Sequence, residues 1–109
     1  MSKDYSLQWT TNAKNDLLNI VEYIKKDSPD TAKDIYLKIR KKVHSTNFFP
    51  LKGRVVPELQ KEGITLYREI VASPWKIIYK VGNDTVYIMA VLDSRQNIEE
   101  LLLQKLLKS

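Results

Sequence analysis

Four cations are spaced along the second half of the chain: Arg54, Arg68, Lys76 and Arg95. Positive charge alone can serve one metal-free reaction, RNA cleavage in which a 2′-hydroxyl attacks its own phosphate. That reaction needs a base for the hydroxyl, cations for the pentavalent phosphorane and an acid for the leaving oxygen. If the chain is a ribonuclease, these four residues are its catalytic candidates, because such positions in an antiparallel sheet can converge on one face. The proton-transfer partners are the weak part of the set. After Arg95 there is no His, Tyr or Arg, only Glu99, Glu100, Lys105 and Lys108. Tyr67, Tyr79 and Tyr87 fall in strand patterns, where core packing is the commoner role.

Other chemistries have less support. There is no cysteine, hence no disulfide framework, thiol nucleophile or thiolate metal site. The single histidine, His44, stands among lysines, so neither a zinc site nor a catalytic triad is expected. No glycine-rich phosphate loop occurs. We therefore expect no metal and no cofactor. The 109 residues suit one domain, 1–109, with little room for a deep substrate pocket, so no small-molecule substrate is expected either. At 43% hydrophobic and 28% charged residues the chain is globular. It has no apolar run long enough for a membrane span and no secretory signal core, which predicts a cytoplasmic protein with no membrane partner.

The net charge of +5 is concentrated. Lys38, Arg40, Lys41, Lys42, Lys52 and Arg54 lie in a stretch with no acid. Such a field attracts polyanions: nucleic acid, a ribosome or an acidic protein segment. The same lysines also serve as a solvated helix face near a helix C-terminus.

The positioning elements follow from periodicity. Tyr5, Leu7 and Trp9 alternate as a half-buried strand. Thr10, Thr11 or Asn12 caps a helix over about 12–26, with Ala13, Leu17, Ile20, Val21 and Ile24 at helical spacing. Ser28-Pro29-Asp30 starts a second helix to about 46, striped by Ala32, Ile35, Tyr36, Ile39 and Val43. The short connection predicts an antiparallel helical hairpin. A loop from about 47 to 66 carries Pro50 and Gly53. Three strands then form an antiparallel meander: 67–72, 75–81 with Trp75, Ile77, Tyr79 and Val81 on one face, and 86–92 with Val86, Ile88, Ala90 and Leu92 on one face. Asn97 and Glu100 read as a capping box for a last helix with Leu101, Leu102, Leu103, Leu106 and Leu107. That is more apolar surface than one stripe needs, so apolar area is expected near these leucines. The fold class is α+β: N-terminal strand, helical hairpin, meander, C-terminal helix.

Within that order, three segments carry a family pattern: Gly53-Arg54-Val55-Val56-Pro57-Glu58-Leu59; Tyr67-Arg68-Glu69-Ile70 with Trp75-Lys76-Ile77-Ile78-Tyr79; and Ile88-Met89-Ala90-Val91-Leu92-Asp93-Ser94-Arg95-Gln96-Asn97. Together they resemble the RelE/ParE superfamily of toxins from bacterial type II toxin–antitoxin systems, on its ParE side, over nearly the whole chain. The resemblance implies a toxin neutralised by a cognate antitoxin, which wraps the toxin's apolar groove and carries the pair's contact with operator DNA. It implies growth arrest through DNA gyrase, or, for a RelE-type member, ribosome-dependent messenger cleavage. A stand-alone nucleic-acid-binding module is the third reading, from charge alone. On the resemblance, Arg54, Arg68, Trp75 and Arg95 are the target-binding candidates, and Leu17, Ile24, Leu102 and Leu106 the antitoxin-binding ones. RelE-type cleavage uses a late arginine, matched by Arg95, plus a nearby tyrosine or histidine, which has no counterpart from Gln96 to Leu103. That departure favours gyrase inhibition. Whether the chain is an enzyme stays open at this stage. The motif residues also carry structural readings: Gly53 for a positive φ, Pro57 to fix the loop, Trp75 as a rim aromatic, Asp93 for Arg95 or the helix cap, and Arg54 and Arg68 for ion pairs with Glu58 and Glu69.

Overall fold

The computed structural model of the chain describes residues 4–106. Strand β1 (Ser6–Trp9) runs into helix α1 (Thr11–Lys25), followed by α2 (Pro29–Ser45). Both helices start where the sequence predicts. The Thr10 hydroxyl accepts from the Ala13 amide, the Ser28 hydroxyl accepts from the Thr31 amide, and Pro29 takes the first helical position. Then come β2 (Arg54–Val55), a one-turn α3 (Pro57–Gln60), β3 (Tyr67–Ala72), β4 (Trp75–Val81), β5 (Thr85–Asp93) and α4 (Ile98–Leu106). The sheet order is β1-β5-β4-β3-β2, antiparallel except that β1 lies parallel to β5.

Two apolar layers cover the two faces of the sheet. One packs α1 and α2 on Ile70, Ile77, Tyr79, Val86, Ile88 and Val91. The other packs α3 and α4 on Tyr67, Ile78, Ala90 and Leu92. This corrects the expected alternation in the last strand. Ile78 pairs with Ala90 but Tyr79 pairs with Ile88, so Met89 is an extra residue in β5. Such a bulge shifts the phase by one. Val86 and Ile88 therefore face the hairpin, whereas Ala90 and Leu92 face α4.

The predicted 47–66 loop is also partly wrong, since it contains β2 and α3. Two residues of strand and four of helix are too short to give a period. Pro57 opens α3, and Gly63 supplies the positive φ (80°) that ends the segment. Gly53 does not have a positive φ. A Cβ there would stand 2.4 Å from the Glu69 carbonyl and 2.5 Å from the Tyr79 hydroxyl, so close approach is what requires glycine. The capping-box residues meet as predicted in part: the Asn97 side chain accepts from the Glu100 amide, and the Glu100 carboxylate is 3.5 Å from Asn97 Nδ2. The expected apolar exposure at α4 is mostly absent. Leu102 and Leu106 are buried and only Leu103 is exposed, because the stripe closes on α3 and the sheet. Leu107 lies outside the described residues.

Candidate functional site

Arg54 and Arg68 are on neighbouring strands but serve opposite faces. Register places Arg54 opposite Glu69 and Val55 opposite Arg68. Strand side chains alternate, so consecutive positions cannot share a face. Arg54 Nε lies 3.0 Å from Glu69 Oε2. Glu69 is 2% exposed, and its other oxygen is 3.4 Å from Lys76 Nζ, which also reaches Glu58 at 3.5 Å. A buried carboxylate is retained only where paired cations offset its desolvation, and Arg54 and Lys76 provide that. On the other face, Arg68 donates to the Gly53 carbonyl at 2.7 Å. Beside it the buried Tyr79 hydroxyl accepts from the Gly53 amide at 2.9 Å and donates to the Pro50 carbonyl at 2.8 Å. Burial pushes the Tyr79 phenol above its ordinary range, partly offset by the Gly53 N–H and by Arg68.

Arg95 stands at the far end of β5. Its guanidinium grips Asp93 through Nε at 2.9 Å and Nη2 at 2.6 Å. This fork, together with the Arg95 amide, holds the Asp93 carboxyl below the usual carboxylate range. The four expected cations thus do not converge. Arg54 and Lys76 meet on Glu69, Arg68 ties down a loop on the opposite face, and Arg95 is paired at another strand end. Three are neutralised by carboxylates and the fourth holds a carbonyl.

Asp93 and Arg95 edge an open groove of about 500 Å³ between α1, the end of β5 and α4. Ile20, Tyr23, Ile24, Trp75 and Leu101 form its apolar wall. The buried Trp75 Nε1 has no hydrogen-bond partner among the described residues. At the groove's inner end lies Asp16, 8% exposed, whose carboxylate accepts from the Val91 amide, Asn12 Nδ2 and Lys105 Nζ. The reason is topological. β1 stops pairing at Trp9 opposite Ile88, so the β5 edge beyond it would be unmet. Side chains of the next helix take over: Thr10 on the Ile88 carbonyl, Asn12 on the Met89 carbonyl and Asp16 on the Val91 amide. Of the four expected antitoxin contacts, only Ile24 lines this groove. Leu17 belongs to the hairpin core, and Leu102 and Leu106 to the α4 core.

Comparison with known proteins adds the family. Residues 7–98 match the model of the ParE toxin of the type II toxin–antitoxin system, parDE. The chain belongs to the ParE toxin family. As a ParE-family protein it is the toxin component of a type II toxin–antitoxin system. No curated protein matches it. Among solved structures, one similar chain comes from the chromosomal ParDE system of P. aeruginosa, at 20% identity and TM-score 0.68 over 82% of this chain and 95% of that one. Another is from the RelBE2 toxin–antitoxin complex of Mycobacterium tuberculosis, at 19% identity and TM-score 0.56 over 84% and 92%. At these identities the likeness speaks for the fold, and both agree with the α+β arrangement above. Glu69 and Tyr79 organise this ParE-family chain in the structural roles the sequence suggests, an ion-pair partner and a core aromatic, whereas Asp16 and Lys105 have no assigned role in the sequence reading. Asp16 left a signal: it sits three residues after Ala13 and one before Leu17, inside the apolar stripe of α1. No helix among the described residues is long and apolar enough to cross a membrane.

Proposed function

We propose that this ParE-family toxin acts by binding DNA gyrase, not by cutting RNA, and that a cognate antitoxin neutralises it through the groove between α1 and α4. The observation that carries the first part is the neutralisation of the cations. A metal-free ribonuclease needs charge left free for the phosphorane. Here Glu69, Glu58 and Asp93 take up Arg54, Lys76 and Arg95, and Arg68 faces away from Arg54. The second part rests on the open apolar wall at Ile20, Tyr23 and Ile24, edged by Asp93 and Arg95. The similar structures are of toxin–antitoxin systems, which agrees with such a partner. Operator DNA would then be reached through the antitoxin.

The test runs two assays on the purified chain. One follows gyrase supercoiling of relaxed plasmid and the other messenger integrity in a translating extract. Lost supercoiling with intact messenger is expected. Cut messenger with normal supercoiling would overturn the gyrase reading and make Arg95, freed from Asp93 on binding, the first residue to replace.

A further inference from the structure

The loop joining α2 to β2 carries three large apolar side chains in four residues. Phe48, Phe49 and Leu51 are 46, 65 and 66% exposed. The backbone beneath them is held. The Phe48 and Phe49 amides donate to the Ser45 carbonyl, the Lys52 amide donates to the Phe49 carbonyl, and Tyr79 grips Pro50 and Gly53 from the core. The rings therefore project from a fixed frame. With Tyr5 they line an open, shallow depression of about 670 Å³. The His44 ring meets Phe48 edge-on at 5.9 Å, which joins this tip to the last turn of α2. Lys41 and Lys42 are exposed on that helix end and Lys52 on the loop itself. No acid occurs from 38 to 54. Two acids lie on the β1 side: Asp4 precedes Tyr5 in the chain, and the Asp84 carbonyl accepts from the Ser6 amide; neither lines the depression.

We infer that this tip binds single-stranded nucleic acid. Aromatic faces beside lysines match an unstacked base and its phosphates: the base stacks whatever its identity, and the cations follow the backbone. A duplex keeps its base faces hidden and could use only the lysines. An acidic amphipathic peptide would gain from a cleft closed on several sides, whereas this depression is shallow and formed by Tyr5 and one short loop. The site is separate from the groove at Asp93 and does not depend on the gyrase reading.

The test is fluorescence anisotropy of the full chain with a labelled oligothymidine of about fifteen nucleotides and with a duplex of equal length. Binding that weakens steeply between about 50 and 200 mM KCl is expected, with the single strand preferred. Phe49→Leu should weaken it about ten-fold and Phe49→Tyr should retain it, since only the ring face differs in kind. Lys41→Ala should lower the salt slope by about 0.7, while Lys14→Ala, an exposed lysine on α1, should leave it unchanged. Phe49 is exposed, so these variants keep the fold. Any of four outcomes overturns the proposal: no binding at low salt, equal duplex affinity, Phe49→Leu binding like the wild type, or equal losses in Lys14→Ala and Lys41→Ala. A Phe49→Leu effect seen only as a change in oligomer size, or tighter binding of an acidic helical peptide, also overturns it.

Discussion

Tyr79→Phe removes one oxygen and takes that partner from two backbone groups, the buried Gly53 amide and the partly buried Pro50 carbonyl. The hydroxyl accepts from the Gly53 amide and donates to the Pro50 carbonyl, and the ring is fully buried in the hairpin layer. Phenylalanine fills the same space, so little packing is lost. Each stranded backbone group costs about 1–3 kcal/mol, and some relaxation of the loop returns part of it, so the expected loss is about 2–4 kcal/mol. Against a total of about 5–15 kcal/mol, that is a large share. The midpoint of thermal unfolding should drop by about 10–17 °C. Urea unfolding measures the loss directly, and the slope should stay constant if only the native state is touched. A second variant sharpens the reasoning. Gly53→Ala pushes a methyl against both the Tyr79 oxygen and the Glu69 carbonyl, at 2.5 and 2.4 Å. In the Tyr79→Phe background one of those two clashes is gone, so the double variant should be less destabilised than the sum of the singles. A Tyr79→Phe loss below about 1 kcal/mol, or strict additivity of the pair, would refute the view that Tyr79 pins the loop.

The remaining predictions concern the same buried polar groups. Burial raises the Tyr79 pKa. The unfolded chain therefore binds fewer protons than the native one above pH of about 10, and stability should fall there as pH rises. The gap between wild type and Tyr79→Phe should narrow over the same range, measured by urea midpoints at each pH. Asp16→Ala strands the Val91 amide and the Lys105 ammonium and should cost about 2–4 kcal/mol, with faster hydrogen exchange in α4 than in α2. Glu69→Ala leaves the largely buried Lys76 with only Glu58 and should cost about 3–5 kcal/mol; Glu69→Ala combined with Lys76→Met should recover much of it.

The helices, the meander and the last helix were legible because each is long enough to show its period and carries its own start signal. Thr10, Ser28 and Asn97 name three helix beginnings that the geometry then uses. What was not legible depends on partners far away in sequence. The parallel pairing of β1 with β5 joins residues about eighty apart, and no local pattern encodes it. The bulge at Met89 leaves the strand's composition unchanged and only exchanges which residues face which layer. The cations were found, but their grouping was not. Whether Arg54 and Arg68 share a face is decided by the parity of their register, and β2 is too short to reveal a register in sequence. The ion pairs of Arg54 with Glu69 and of Arg95 with Asp93 were legible as alternatives to function, because each acid lies at a strand position near its cation. Exposure misled most at the two ends. The terminal leucines suggest spare apolar surface, yet among the described residues Leu102 and Leu106 are core, whereas the long loop carries the exposed Phe48, Phe49 and Leu51 that its sequence does not single out.

The groove and the Phe48–Leu51 tip lie near opposite ends of β5, Asp93 in one and Tyr5 beside the Thr85 end in the other. Nine residues of strand separate those ends by about 25 Å. A partner seated in the groove would need about eight extended residues, or about five helical turns, to cover the tip as well. Single substitutions should therefore separate two behaviours. Ile24→Glu places a charge in the apolar wall and should weaken capture by an antitoxin at least ten-fold, without changing oligothymidine affinity, because Ile24 lines the groove and not the depression at the tip. Phe49→Leu should do the reverse. Pull-down with the antitoxin and anisotropy with the oligonucleotide, run on both variants, give four readings. If both variants fail in both assays, the two surfaces are one interface, and the division of the molecule along β5 is wrong.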